Sequence, residues 1–463
     1  MPTKHRQPSP TTKRAIISTL LAMVISASLL NKAIAKEEGN ETQRLNLWKA
    51  KLWQEAKTLG ISHTLFQQAL QDFKPNYALP RVHRARYWHA VQRAARAPKK
   101  KIKTITKNGL PPSCTRPRQK EFLFPTLYFP KKYLHSLVQR GKRLRQKHKT
   151  TLQTIEQRYG VDMRAVLGIW GRETAFGQVG NKHNGIRTWA SLAYAGAPEK
   201  RADHRQNLLY ALKMIDEGHI GLKAYKTTFA GATGYPQFTP DVFALYAVDF
   251  DGDGRKNIWS SVPDALASAA NYLKGIGWQQ GVPWGYEVDV PKGFNCAVEG
   301  PKARQPVADW MKLGVRRVAD PKGGRPPFPD EHVLAQFVAP AGMLGPKFLV
   351  TENFEVFRRY NKADLYALFV GHLGDKIWCS SQEKCSFKHP WPQTDTFNFS
   401  RKRICEMQRH LKRLAASTET PDGLFGGKTR NGIGTYERQI GQQPTCFPNK
   451  ALLQHLKTSD AQR

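Results

Sequence analysis

Apolar residues recur at helical spacing along much of this 463-residue chain. Residues three, four and seven positions apart share one face of a helix, so such a stripe predicts a helix with a buried side. Two stripes predict helices between residues 36 and about 95: Leu47, Leu52, Ala56 and Leu59, then Leu65, Ala69, Leu70 and Phe73. The same periodicity predicts helices over 130–172, 207–217, 263–276 and 353–375. The chain is therefore predicted to be mainly α-helical.

Three segments interrupt this pattern. Residues 99–118 are basic and contain prolines, which is typical of an exposed connection. Residues 284–346 alternate short β-like runs with loops rich in proline and glycine, and 390–398 are typical of a linker. The length allows two or three domains with full cores. We predict a large first domain with a small β-containing part, followed by a small final domain.

The start of the chain is typical of a secretory signal peptide. Basic residues precede an apolar run over 15–30, and the small-x-small site 33–35 follows it. A retained membrane anchor fits less well, because the run is shorter than the roughly 20 residues that span a bilayer. We predict a signal peptide over 1–35 with cleavage after Ala35. No cysteine stands there to take a lipid, so we expect an exported, soluble, periplasmic protein that is not a lipoprotein.

Six cysteines agree with an oxidising compartment: Cys114, Cys296, Cys379, Cys385, Cys405 and Cys446. They allow fifteen pairings, which the sequence leaves open. A small loop between Cys379 and Cys385 is one hypothesis, and a bridge from Cys405 to Cys446 is another. The thiols show neither CxxC spacing nor a histidine at ligand spacing, which argues against zinc.

The chain carries 73 Lys and Arg residues against 36 Asp and Glu, a net charge of +37. The basic runs include 99–101, 140–145 and 401–403. Such a field attracts polyanions, and an exported protein meets cell-wall peptides, anionic sugars and acidic lipids first. No RNP-like, zinc-finger or basic-zipper pattern is present. We therefore expect anionic cell-envelope polymers as partners and no specific nucleic acid.

Glu173 lies where a core residue is expected. On a helix it shares one stripe with Val166, Ile169 and Trp170. Burial disfavours the charged carboxylate and raises its pKa, which gives the protonated acid that glycosidic cleavage needs. A glutamate at a helix end, paired with Arg172 or a lysine, fits the same spacing, so spacing alone leaves both interpretations open.

Ordered motifs over about two hundred residues resemble the lytic murein transglycosylase B family, a lysozyme-like group of peptidoglycan-cleaving enzymes. They are WGRETAFG (170–177), FAGATGYPQFTP (229–240), YAVDFDGDG (246–254), DALASAANYL (264–273), and NF (353–354) with RYNKADLY (359–366). The resemblance implies a lysozyme-like α+β catalytic domain with added helical and small β-containing lobes. We place that domain at 36–395, with its core at about 130–283 and 345–378.

The resemblance assigns the chemistry to Glu173. It implies that this acid protonates the β-1,4 bond between N-acetylmuramic acid and N-acetylglucosamine, then takes the proton from the muramic 6-hydroxyl as a 1,6-anhydro ring closes. Ordinary glycosidases use two carboxylates, and no second acid stands in a comparable motif. A hydrolytic muramidase and a non-catalytic peptidoglycan-binding protein are the alternatives.

Matching positions supply the predicted substrate contacts, which are Thr228, Gln237, Tyr272, Tyr360, Asn361 and Tyr366. Each of these residues alone fits structural packing equally well, but the set favours a lined groove. Thr233 stands where the family often has methionine, so we expect a more polar groove wall there.

A segment at 249–254 begins like an EF-hand calcium loop. Ser260 stands where the loop needs a bidentate glutamate. The resemblance offers Asp264 instead, one residue later than in the family pattern. No cofactor is expected to be required, and a structural calcium on Asp249, Asp251, Asp253 and Asp264 is weighed against a polar turn held by its own hydrogen bonds.

The tail at 396–463 resembles the peptidoglycan-binding type 1 domain, a small three-helix module. The resemblance rests on MQRHL (407–411), DGLFGGKTR (422–430) and IGTY (433–436). An interaction domain for another ligand is the alternative. Together, the resemblances predict a monomer that acts on peptidoglycan glycan strands.

Overall fold

The structure, a computed structural model, describes residues 41–85, 114, 120–122, 124–319, 323–380, 385–393 and 397–462. The predicted signal peptide lies outside the described residues, as does the basic connection at 99–118 apart from Cys114. Among the helices that are described, none is both long enough and apolar enough to cross a bilayer.

Helices make up most of the fold, as predicted. In chain order they are α1 (41–58), α2 (His63–Leu70), α3 (80–85), α4 (Lys131–Lys147), α5 (Lys149–Tyr159), α6 (Met163–Thr174), α7 (Gly185–Ala195), α8 (Arg201–Asp216), α9 (Pro240–Tyr246), α10 (Val262–Gly275), α11 (Val307–Lys312), α12 (Glu352–Tyr360), α13 (Asp364–Trp378), α14 (Arg401–Arg413), α15 (Gly427–Gln439) and α16 (Lys450–Ala461). The mainly α fold with small sheets confirms the predicted fold class.

Two long predicted helices are divided in the structure. The apolar pattern over 353–375 continues through a break at 361–363, which separates α12 from α13. The pattern over 130–172 covers α4, α5 and α6, and Gly160 ends α5 in a left-handed conformation with φ 68°. A stripe of apolar residues indicates which side chains are buried. Because burial continues across these turns, the stripe does not show where one helix ends and the next begins.

An antiparallel five-stranded sheet forms the predicted β-containing part. Its strand order is β4-β6-β7-β3-β5. The strands are β3 (Gly285–Asp289), β4 (Gln305–Pro306), β5 (Arg316–Arg317), β6 (Leu334–Val338) and β7 (Lys347–Val350), and a separate pair joins β1 (His183–Asn184) to β2 (Lys226–Thr227). The buried strand β7 leads directly into α12, so the sheet supports the helices that follow it.

Helices α6 and α13 touch backbone to backbone at two glycines. A Cβ atom at Gly168 would lie 2.3 Å from the Val370 carbonyl oxygen, and one at Gly374 would lie 2.4 Å from that of Arg164. Contacts this short exclude any larger residue without a shift of the helix. The two helices are therefore held in one register at the centre of the core.

The disulfides link distant parts of the chain. Cys379 pairs with Cys385, as one hypothesis held. The bridge from Cys405 to Cys446 was wrong, because Cys405 pairs with Cys114 and Cys446 pairs with Cys296. Cys446 lies against the core of the sheet, whereas Cys405 is buried on α14, so their sulfurs face different partners.

Residues 397–462, which we call the C-terminal module, form three helices as predicted. Their core holds Phe399, Phe425 and Phe447, and it also includes Phe124 and Ala341 from the preceding part of the chain. The predicted boundary at 395/396 lies among residues 394–396, which the structure does not describe. The module therefore packs into the rest of the protein through a shared apolar core.

Candidate active site

Glu173 lies in the last turn of α6. The helix begins after Asp162, whose side chain accepts from the Arg164 amide, and it ends before three left-handed residues: Ala175 at φ 48°, Phe176 at φ 59° and Gly177 at φ 81°. For a residue other than glycine this conformation costs about 1–2 kcal/mol. The abrupt turn folds Phe176 back against Trp170 and leaves the Glu173 carboxyl at the helix end.

A tyrosine hydroxyl holds the Glu173 carboxyl. The Tyr366 hydroxyl on α13 donates to Glu173 Oε1 over 2.6 Å. Burial raises the pKa of Glu173, and the hydrogen bond from Tyr366 and the charge of Arg172 offset part of that rise. The protonated carboxyl is therefore favoured at higher pH than in an ordinary glutamate, as a general acid requires.

Arg172 is engaged by other groups than the Glu173 carboxylate. Its Nε donates to the Tyr128 hydroxyl over 2.9 Å, and its Nη2 lies 4.0 Å from Glu121 Oε1. The interpretation of Glu173 as a helix-end ion pair is therefore wrong. Glu121 and Tyr128 also belong to the surroundings of the site. They lie in an unpatterned segment of short helical turns, so no periodic signal pointed to them.

The predicted tyrosines form a row leading away from Glu173. The rings of Tyr366 and Tyr360 stack at 6.4 Å with an angle of 17°, and Tyr360 lies 5.2 Å from the ring of Tyr272. Burial and the nearby Glu173 charge raise the pKa of both Tyr366 and Tyr360. Both hydroxyls therefore remain protonated donors at neutral pH.

A loop over 228–240 carries Gln237 and packs beside the helices around Glu173. Gln237 has a left-handed backbone, and its Nε2 donates to the Gly234 carbonyl over 2.8 Å and to Asn181 Oδ1 over 3.3 Å. Tyr360 donates to the Pro236 carbonyl, and Thr174 of α6 donates to that of Tyr235. The loop is thus tied to α6, which carries Glu173, and to α12, which carries Tyr360.

Three other residues have local roles in the structure. The Thr228 hydroxyl accepts from the amides of Ala230 and Ala232, and Asn361 ends α12 with its amide bonded to Phe357. Thr233 is fully buried, and its hydroxyl donates to Lys226 while accepting from Trp259. The expected polar groove wall at Thr233 is therefore wrong, since the hydroxyl is used inside the fold.

The acidic cluster forms a second group of candidate ligands. Carboxylate oxygens of Asp249, Asp251, Asp253 and Asp264 lie within 4.8 Å of one another. Asp264 is fully buried and accepts from the amides of Phe250, Asp251 and Asn257. Ser260, at the EF-hand glutamate position, instead bonds to Asn257. The loop is therefore fixed by Asp264 and presents three further carboxylates on its more exposed side.

Comparisons with known proteins show what this chain is similar to. The transglycosylase SLT domain matches residues 44–375. The membrane-bound lytic murein transglycosylase B of Escherichia coli (strain K12) is 29% identical over 254 residues, an alignment that covers 52% of this chain and only 63% of that relative.

Two crystal structures of SltB3 from Pseudomonas aeruginosa also match. The complex with NAG-anhNAM-pentapeptide is 31% identical with a TM-score of 0.72, and the complex with NAG-NAM-pentapeptide is 32% identical with the same score. Each match covers 89% of this chain and 99% of the SltB3 chain. The similarity thus extends beyond the residues that the domain match covers.

Proposed function

Because the chain belongs to the transglycosylase SLT domain family, we propose that it is an exported lytic transglycosylase. It cleaves the β-1,4 bond between N-acetylmuramic acid and N-acetylglucosamine in peptidoglycan without water, and it leaves 1,6-anhydromuramic ends. The Glu173 carboxyl, with its raised pKa and its hydrogen bond to Tyr366, is the observation that carries this proposal.

Glu173 acts first as an acid and then as a base. Because Tyr366 donates to Oε1, Oε2 is free to carry the proton. That proton passes to the bridging oxygen as its bond to C1 of the muramic sugar breaks, which leaves an oxocarbenium-like centre. The Glu173 carboxylate then accepts the 6-hydroxyl proton while O6 bonds to C1. Tyr272, Tyr360 and Gln237 line the groove, and Thr228 and Asn361 extend it.

Product analysis separates this reaction from hydrolysis. A hydrolytic muramidase would use the same acid with water as nucleophile and a second carboxylate to activate it. Glu121, whose charge acts on Glu173, faces the Arg172 guanidinium. Mass spectrometry of fragments released from purified sacculi should show anhydro ends. Reducing ends heavier by one water would contradict the proposal and support hydrolysis.

The C-terminal module supplies a second contact with peptidoglycan in this proposal. Gln408 belongs to the sequence signature of the module and has a structural role. Its side chain accepts from the amides of Asp422 and Gly423 and donates to the Thr429 hydroxyl. These signature residues build the turn, so wall contacts fall to other side chains of the module. Export by cleavage after Ala35 to the periplasm and action as a monomer complete the proposal.

Binding to the whole wall should depend strongly on salt. Helix α4 has no acidic residue and exposes Lys131, Lys132, Arg143 and Lys147, and the chain carries a net charge of +37. The Debye length falls from about 30 Å at 0.01 M to about 10 Å at 0.1 M. We expect pull-down with sacculi to fall steeply over this range, while kcat on short soluble chains changes little. Equal salt sensitivity of sacculus binding and of kcat would indicate that the basic charge lies in the groove.

Calcium should stabilise the loop at 249–264. Four carboxylates that converge repel one another, and Ca²⁺ prefers such oxygen ligands. At 100 times its Kd a ligand of the folded state adds about 2.7 kcal/mol, so Ca²⁺ should raise Tm in calorimetry. Asp253→Asn, at an exposed position, should remove the shift without lowering the metal-free Tm. A Tm unaffected by millimolar Ca²⁺ would favour the polar turn.

A further inference from the structure

A buried ion cluster joins the C-terminal module to the helix that carries Tyr366. Arg430 of α15 makes a bidentate pair with Glu299, with Nε–Oε2 at 2.7 Å and Nη2–Oε1 at 2.6 Å. The same Nη2 lies 2.7 Å from Asp364 Oδ2. The side chains of Arg430 and Glu299 are each 2% exposed, and that of Asp364 is 14% exposed. Loss of one member of such a buried ion pair is strongly destabilising, because it leaves the other charge buried without a partner.

Asp364 is the first residue of α13, two positions before Tyr366. Its other oxygen, Oδ1, lies 3.1 Å from Nε of Arg358 on α12. One carboxylate is thus held by two guanidinium groups that approach from different elements. A carboxylate in the first turn is also stabilised by the partial positive charge at the helix N-terminus. The start of α13 is therefore fixed from the module on one side and from α12 on the other.

The same turn of α13 supplies the Tyr366 hydroxyl, which donates to Glu173. We propose that Arg430 is a positioning residue, which holds the first turn of α13 through Asp364 and so keeps Tyr366 against Glu173. This inference rests on the proposed function. It gives the C-terminal module a role in catalysis that is independent of wall binding.

Arg430→Lys tests the positioning with the charge retained. Lysine cannot make the forked contact with Glu299 and Asp364 together, so the first turn of α13 should shift. A displacement of about 1 Å can cost about 10²-fold, so we expect kcat on soluble chains to fall by about 10- to 100-fold with little change in KM. Arg413→Lys is the matched control, because Arg413 is an exposed arginine of the same module that pairs with Asp460.

The pKa of Glu173 provides a readout independent of turnover. Carboxyl-labelled NMR, assigned with Glu173→Gln, would follow it in each variant. Loss of the Tyr366 hydrogen bond raises this pKa, whereas a charge-conserving Arg430→Lys leaves it unchanged if only electrostatics matter. The other groups that bear on Glu173 are Arg172, Glu121, Tyr360 and Tyr128.

Asp364→Leu distinguishes a purely electrostatic effect from a displacement of Tyr366 by the direction in which the pKa of Glu173 shifts. The substitution leaves the Arg430–Glu299 pair in place. Removal of a nearby negative charge would lower the pKa of Glu173, but displacement of Tyr366 would raise it. A raised pKa with reduced kcat supports the proposal. An unchanged or lowered pKa with wild-type kcat overturns it. If the wild-type protein releases no anhydro products, the proposed function fails, and the NMR comparison still tests the positioning.

Discussion

Glu173→Gln should reduce release of anhydro products by at least the roughly 10²–10⁴-fold typical of general acid–base catalysis. Glutamine has nearly the same shape and still accepts from Tyr366, but it carries no proton to give. The fold should persist, because the substitution removes a carboxyl whose ionisation burial disfavours. The measurement is kcat/KM on soluble glycan chains, with sacculus pull-down as a check on binding.

Glu156→Gln is the matched control, since Glu156 is an exposed glutamate on the neighbouring helix α5. The wild-type pH profile gives a second check. The reaction needs protonated Glu173, so kcat/KM should fall as pH rises through its raised pKa. The falling limb therefore lies at higher pH than an ordinary glutamate would give. Wild-type clearing of sacculi by a folded Glu173→Gln protein would reject Glu173 as the acid.

Removal of the C-terminal module after residue 393 should destabilise the whole protein rather than only weaken wall binding. The cut exposes Phe124 and Ala341 and leaves Glu299 without its guanidinium partner. Breaking a buried ion pair alone costs about 3–5 kcal/mol. We expect a much lower Tm and loss of cleavage even on soluble chains.

The expected loss contrasts with the behaviour of a flexibly tethered module. Linkage to a binding module raises the effective concentration at an insoluble substrate, so its removal would leave soluble-chain cleavage intact. Arg413→Ala, which disturbs the exposed contacts of Arg413 with Asp460 and His410, should keep the free energy of unfolding within about 0.5 kcal/mol of the wild-type value. A truncated protein with wild-type Tm and turnover would show that the packing against Phe124 contributes little.

Local signals in the sequence predicted the helices well where a stripe and a cap coincide. The stripe predicted a helix over 263–276, and in the structure α10 begins at Val262 after Ser261, whose side chain accepts from the Asp264 amide. Glu173 stood out because a carboxyl occupied an apolar stripe. Its hydrogen bond to Tyr366 could not be predicted, since it joins residues 193 positions apart and depends on the register of α6 against α13.

Pairings between distant residues were the least predictable part. Nothing local distinguishes Cys114 from Cys446 as the partner of Cys405, because the choice depends on which surfaces the final helices pack against. The sequence signature places Arg430 in the C-terminal module, but the contacts of its side chain lie 131 and 66 positions away. The burial of Thr233 was unpredictable for the same reason, because its hydroxyl bonds to the Lys226 carbonyl and to Trp259.

The two long-range disulfides also govern the order in which the protein can mature. They join residues 291 and 150 positions apart, and chain segments fold in the order in which they are synthesised. Neither bridge can close until residues 405 and 446 have been synthesised and have met an oxidant. Arg430, between them in the chain, arrives equally late. Under the proposed positioning role of Arg430, a chain synthesised only a little beyond Glu173 lacks the support for Tyr366, so full activity requires nearly the whole chain.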